Sequence, residues 1–112
     1  MLVDDHGPFR LAARRLLEAE DCLVVAEAES GERALARFAA ADADLVLVDV
    51  FLPGIDGFAT AQGIADGDGP AVVLISSRAL CDVGRDRVAE SGARGFVHKA
   101  DLSRAALDLL VA

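Results

Sequence analysis

Two patterns of apolar residues take turns along the whole chain. Short continuous runs at Met1 to Val3, Leu23 to Ala26, Leu45 to Val48, Ala71 to Ile75 and Gly95 to Val97 predict five strands. Leu45 to Val48 and Ala71 to Ile75 have no polar alternation, which predicts strands covered on both faces. Between the runs lie amphipathic stretches. Phe9, Ala12, Ala13, Leu16 and Leu17 follow i, i+3, i+4, i+7, i+8, one stripe of a helix whose first turn suits Pro8. Ser30-Gly31 opens a second helix with Leu35, Phe38 and Ala39 inward. A third runs from Gly57 to about Ala65. A fourth, about Ala79 to Ser91, is polar and thinly apolar through Leu80, Val83 and Val88. Leu102, Ala105, Ala106, Leu109 and Leu110 repeat the first stripe. Pro53 and Gly54 make residues 50–56 a loop, and Asp66 to Gly69 is a Gly/Asp-rich turn.

Five strands alternating with five helices predict an α/β fold with a parallel sheet wound by right-handed crossovers. With an acidic turn after the first strand, the expected form is flavodoxin-like (βα)5, a doubly wound five-stranded sheet in the order 2-1-3-4-5. A chain of 112 residues is one domain, expected to span 1–112 with no second domain in it. At 54% apolar and 27% charged it can bury a core, which excludes global disorder. No apolar run approaches the roughly 20 residues of a membrane span. Met1 to Val3 runs straight into two aspartates, unlike a signal peptide, so the expected compartment is cytoplasmic. Eleven basic residues against nineteen acidic ones give a net charge of −8. This is the wrong sign for a nucleic-acid surface, so the chain alone is expected to hold neither nucleic acid nor an anionic membrane. Cys22 and Cys81 lack Cys-x-x-Cys spacing and are expected to be reduced, buried thiols.

In a sheet of this kind the working crevice lies outside the carboxyl ends of the strands. The first strand ends in Asp4-Asp5, the third in Asp49, the fourth in Ser76-Ser77 and the fifth near Lys99, the only lysine. Taken singly, each has a plain structural explanation. Asp4-Asp5 suits a helix N-cap region, Asp49 a turn, Ser76 a local hydroxyl bond, and Lys99 a solvated charge. Taken together they converge from four strands. Three close carboxylates repel one another, and a hard cation such as Mg²⁺ relieves this. A hydroxyl and an ammonium beside them suit a phosphoryl group, and a carboxylate can itself accept one. The pattern points to a Mg²⁺-dependent phospho-aspartate site.

Four segments carry a resemblance. They are Val3-Asp4-Asp5-His6 with Phe9-Arg10, Leu47 through Gly57 around Asp49 and Pro53-Gly54, Val73 through Ser77, and Gly92 through Lys99. In this order and at these intervals the chain resembles the receiver domain of two-component response regulators over essentially its whole length. The opening is similar to the NarL/FixJ subfamily, whose members usually carry a LuxR-type DNA-binding domain. The resemblance implies that Asp49 accepts a phosphoryl group from a sensor histidine kinase. It further implies that Asp5, Asp49, the Phe51 carbonyl and, through water, Asp4 hold Mg²⁺. Ser76 and Lys99 would contact the phosphoryl group, and Ser76 with Phe96 would form the switch. Phe51 and Arg78 would flank the path of hydrolytic water. The fourth helix, with Arg85, Asp86, Arg87 and Glu90, would belong to an output face that supports a phosphorylation-dependent homodimer.

By this resemblance the chain is a phosphoryl acceptor with slow autodephosphorylation, not a turnover enzyme. The alternative is a degenerate receiver that acts as a scaffold without phosphate. A phosphatase with an aspartyl nucleophile is disfavoured, because its second aspartate would fall at Phe51. Two departures stand out. Only three residues precede Asp4, and Ala100 follows Lys99 where many receivers have proline, so a trans Lys99–Ala100 bond is expected.

Overall fold

The computed structural model describes residues 1–66 and 68–111, so Gly67, in the expected Asp66 to Gly69 turn, and Ala112 lie outside the described residues. The strands are β1 (Leu2–Val3), β2 (Glu27–Ala28), β3 (Leu45–Asp49), β4 (Ala71–Ser76) and β5 (Gly95–His98). The helices are α1 (Gly7–Ala19), α2 (Gly31–Ala41), α3 (Gly57–Ala65), α4 (Leu80–Val83), α5 (Arg85–Glu90) and α6 (Arg104–Val111), with a 3₁₀ turn at Lys99–Asp101. All strand pairs are parallel, and the sheet order is β2-β1-β3-β4-β5, the flavodoxin-like order expected.

Side-chain alternation on the central strands builds two cores. Val46, Val48, Val72 and Leu74 face one side, under α2, α3, α4 and α5. Leu47, Val73 and Ile75 face the other, under α1 and α6. With both faces covered, polar positions fall where the strands end, and there the chain emerges at one edge.

Several local expectations give way. The second strand is not Leu23 to Ala26. Pairing holds only Glu27–Ala28, because β1 offers partners at Leu2 and Val3 alone. Leu23 and Val25 are left exposed. In α1, Ala13 and Leu17 are buried while Ala12 and Leu16 face solvent, so the buried stripe is narrower than its apolar residues. In α2, Gly31 and Ala34 lie inward and Ala39 faces out. In the last helix the expected stripe holds only in part: Ala106 and Leu110 pack against the core, and Ala105 faces out. Leu107 is the buried anchor, Leu109 is 85% exposed, and buried Leu102 precedes the helix. Ser103 Oγ accepts from the Ala106 N–H at 3.0 Å and starts α6 after Leu102. The fourth helix is two pieces, because Gly84 has φ +102°, a left-handed value outside the helical region. The thiols are not both buried. Cys22 is half-buried, and Cys81 faces solvent from the short α4. The Lys99–Ala100 bond is trans.

Candidate functional site

The four strand ends meet at one edge. Asp4 follows β1, Asp49 closes β3, Ser76 closes β4 and Lys99 follows β5. Asp4, Asp49 and Ser76 are buried, Lys99 is half-buried and Asp5 is exposed. Lys99 Nζ lies 2.6 Å from Asp4 Oδ2 and 3.8 Å from Asp49 Oδ2. Asp4 Oδ2 is buried without a hydrogen bond of good geometry, so the ammonium is its compensation. Asp4 Oδ1 accepts from the His6 N–H at 2.8 Å. Burial, with the Asp4 carboxylate beside it, raises the Asp49 pKa above the ordinary aspartate value. The Lys99 charge and the Phe51 N–H work in the opposite direction.

A glycine sets the position of Asp49. A Cβ at Gly57 would lie 2.2 Å from the Asp49 carbonyl oxygen and 2.6 Å from Val50 Cα. The Gly57 N–H instead donates to the Val50 carbonyl at 2.9 Å, so α3 starts in contact with the end of β3. Asp56 caps that helix, its Oδ1 accepting from the Ala59 N–H at 2.9 Å.

One carboxylate oxygen each from Asp4, Asp5 and Asp49 lies within 4.8 Å of the others. Oxygen-only donors, one carboxylate orphaned apart from its ammonium and one open to water fit a hard cation that keeps part of its hydration shell. Phe51, two residues past Asp49, is 46% exposed, with the Arg78 guanidinium carbon 4.5 Å from its ring centroid. The two positions expected to flank water are thus stacked on each other. Ser76 Oγ accepts from the Arg78 N–H at 3.0 Å, and Phe96 is half-buried against the core under α3 and α5.

Other neighbours were not legible. Lys99 Nζ lies 4.2 Å from the centroid of Phe9, a contact that neither its place in the stripe nor its place in the opening motif foretells. Arg87, expected as a surface charge, reaches Asp56 Oδ2 at 3.4 Å and stacks 4.1 Å from the Phe58 centroid. His98 bridges two loops, with Nε2 2.8 Å from the Ser77 carbonyl and Nδ1 accepting from the Ala100 N–H at 3.1 Å. No periodicity marks a polar residue that ends a strand and bonds sideways.

A family model described as the response regulator receiver domain matches residues 1–109. The DNA-binding transcriptional activator EvgA of Escherichia coli K12 is 30% identical over 101 residues, 90% of this chain and 50% of that protein. The chain spans about half the length of the curated relatives it matches. Among solved structures, the signal receiver domain of NarL from Mycobacterium tuberculosis superposes with a TM-score of 0.83 at 31% identity, covering 97% of this chain and 92% of that one. A LuxR-family two-component response regulator from Aurantimonas sp. SI85-9A1 gives 0.86 at 31% identity, covering 98% and 82%. No helix among the described residues is long and apolar enough to cross a membrane.

Proposed function

Because the chain belongs to the response regulator receiver domain family of two-component systems, with transcriptional regulators among its relatives, we propose that it takes a phosphoryl group onto Asp49 from the phosphohistidine of a sensor histidine kinase. The observation that carries this reading is the placement of Lys99 Nζ between Asp4 and Asp49, inside the cluster that Asp5 completes. An ionised Asp49 oxygen attacks phosphorus in line, the P–N bond breaks, and its electron pair leaves with the imidazole. Lys99 then turns from the Asp49 carboxylate to a phosphoryl oxygen, and the Ser76 hydroxyl donates to another. Asp4, Asp5, Asp49 and the Phe51 carbonyl would hold Mg²⁺, whose charge offsets that of the carboxylates and phosphoryl oxygens. Incubation with a small acyl phosphate and Mg²⁺, followed by intact mass, tests the reading. One acid-stable, hydroxylamine-sensitive phosphate is expected, and none would overturn it in favour of a phosphate-independent scaffold.

Metal is expected to stabilise the fold by mass action. At free Mg²⁺ about 100 times its dissociation constant the gain is about 2.7 kcal/mol. A thermal melt with and without Mg²⁺ reads this as a rise in the midpoint. Asp5→Ala should lose most of that rise, because it removes the solvent-facing carboxylate of the cluster and leaves the buried pair in place. An equal rise in the variant contradicts the ligand assignment.

The stacked Phe51 and Arg78 bear on the lifetime of the phosphorylated state. An apolar ring cannot orient water, and a permanent cation cannot act as a base. Slow loss of phosphate is therefore expected. Phe51→Asn should speed it by about tenfold, less than the ~100-fold of a full general base, because asparagine only orients the water. Phosphate release followed in excess Mg²⁺ checks this, and a folded variant that decays no faster than wild type contradicts it.

A further inference from the structure

We propose that His98 is a positioning residue of the phosphoryl-transfer site, setting the spacing between the Ser76 hydroxyl and the Lys99 ammonium; this rests on the function proposed above. β4 and β5 pair in parallel up to Ser76 and His98, and there the ladder ends. Beyond that pair the two chains separate into the loop that follows Ser76 and the turn that carries Lys99. The imidazole is the link between them. The Ala100 N–H donates to Nδ1 at 3.1 Å, so Nδ1 carries a lone pair there. Nε2 therefore bears the proton and donates to the Ser77 carbonyl at 2.8 Å. The hydrogen bonds themselves assign the tautomer.

One rigid ring thus caps the 3₁₀ turn of Lys99 on one side and holds the carbonyl next to Ser76 on the other. The Ser76–Arg78 segment has a second tie, from the Arg78 N–H to Ser76 Oγ. The Lys99 backbone has the ring bond through Ala100 at the point where its side chain turns inward to Asp4 and Asp49. The four registered pairs of β4 and β5 hold the strands together without the imidazole. What the ring adds lies past the ladder, where the hydroxyl and the ammonium must meet one phosphoryl group from two loops. Both partners of the ring are backbone groups that water can satisfy, so losing it frees the loops without leaving a buried orphan.

Wild type, His98→Ala, His98→Asn and His98→Gln should be compared for their rate of labelling by a small acyl phosphate in Mg²⁺ buffer, with thermal melts alongside. His98→Ala should melt close to wild type yet label about tenfold more slowly, within the ~100-fold that a 1 Å misplacement can cost. His98→Asn should recover part of the rate, because its carboxamide oxygen sits where Nδ1 accepts from Ala100, while His98→Gln lacks an acceptor at that position. The ring ¹⁵N shifts of the wild type should report the Nε2–H tautomer. A folded His98→Ala that labels at the wild-type rate, or an Nδ1–H tautomer, overturns the inference. If His98→Ala does not fold, His98→Asn decides: labelling below wild type supports the two-sided link, and labelling equal to wild type overturns it. A wild-type chain that takes no phosphate overturns the proposed function and this inference with it, whereas a labelled wild type matched by His98→Ala overturns this inference alone.

Discussion

Asp49→Asn is expected to take no phosphate and, in metal-free buffer, to be more stable than the wild type at neutral pH. The first outcome follows from chemistry, because a carboxamide cannot form the acyl phosphate. The second follows from burial. Desolvation and the Asp4 charge raise the folded-state pKa of Asp49 above its unfolded value. Between those two values the folded state binds more protons than the unfolded state, so stability falls as pH rises through the window. The favourable contribution is complete below the unfolded pKa and lost above the folded one. Asparagine stays neutral throughout and avoids that loss. The gain should be a few degrees in Tm, since about 1 kcal/mol moves a domain of this size by ~4–8 °C. It should shrink towards zero as pH falls below the aspartate range. Chelator-treated melts across pH, paired with intact mass after phosphodonor, check both outcomes. Wild-type labelling of Asp49→Asn would move the acceptor elsewhere, and a gain that grows at low pH would reverse the electrostatic account.

Lys99→Met should do the opposite to stability. The Asp4 carboxylate is 1% exposed, and its Oδ2 has the lysine ammonium at 2.6 Å as its compensation. Removing one partner of such a pair leaves a buried charge, and the cost is about 3–5 kcal/mol. The loss should be largest without metal. Saturating Mg²⁺ should restore part of it, because the cluster then has another cation to face. Some phosphate should still go onto Asp49, which keeps its own carboxylate, but without an ammonium to draw the phosphoryl oxygens. Urea melts with and without Mg²⁺ test this. A metal-free loss below about 1 kcal/mol, typical of an exposed pair, would show that Lys99 does not compensate a buried charge.

The site was legible because continuous apolar strands end abruptly. Leu45 to Val48 can only be a covered strand, so Asp49 must emerge at its end, and the same holds for Ala71 to Ile75 and Ser76. What was not legible depends on partners distant in sequence. The extent of β2 is decided by the two residues of β1 that it faces, not by its own apolar run. The phase of α6 is decided by the Ser103 cap, which leaves Leu102 outside and turns Leu107 inward. Phe9 beneath Lys99 and Arg87 against Asp56 join residues that no local pattern connects. His98 occupies a strand position, and the lateral bonds that distinguish it exist only once β4 and β5 are side by side.

The left-handed Gly84 has a mechanical consequence. Helices of four and six residues are too short to stand without packing, so α4 and α5 depend on Val83 and Val88 beneath them. At the joint, α4 closes with the Gly84 N–H on the Leu80 carbonyl, and α5 opens with the Val88 N–H on the Gly84 carbonyl. The segment is two links joined at Gly84, not one rod. Arg87 reaches from the second link to Asp56, at the cap of the helix that starts against the end of β3. A displacement at the Ser76 loop would meet α4 first in the chain, and one at the Asp49 loop would reach α5 through Asp56 and Arg87. The two sides of one small crevice thus meet the same surface through different links.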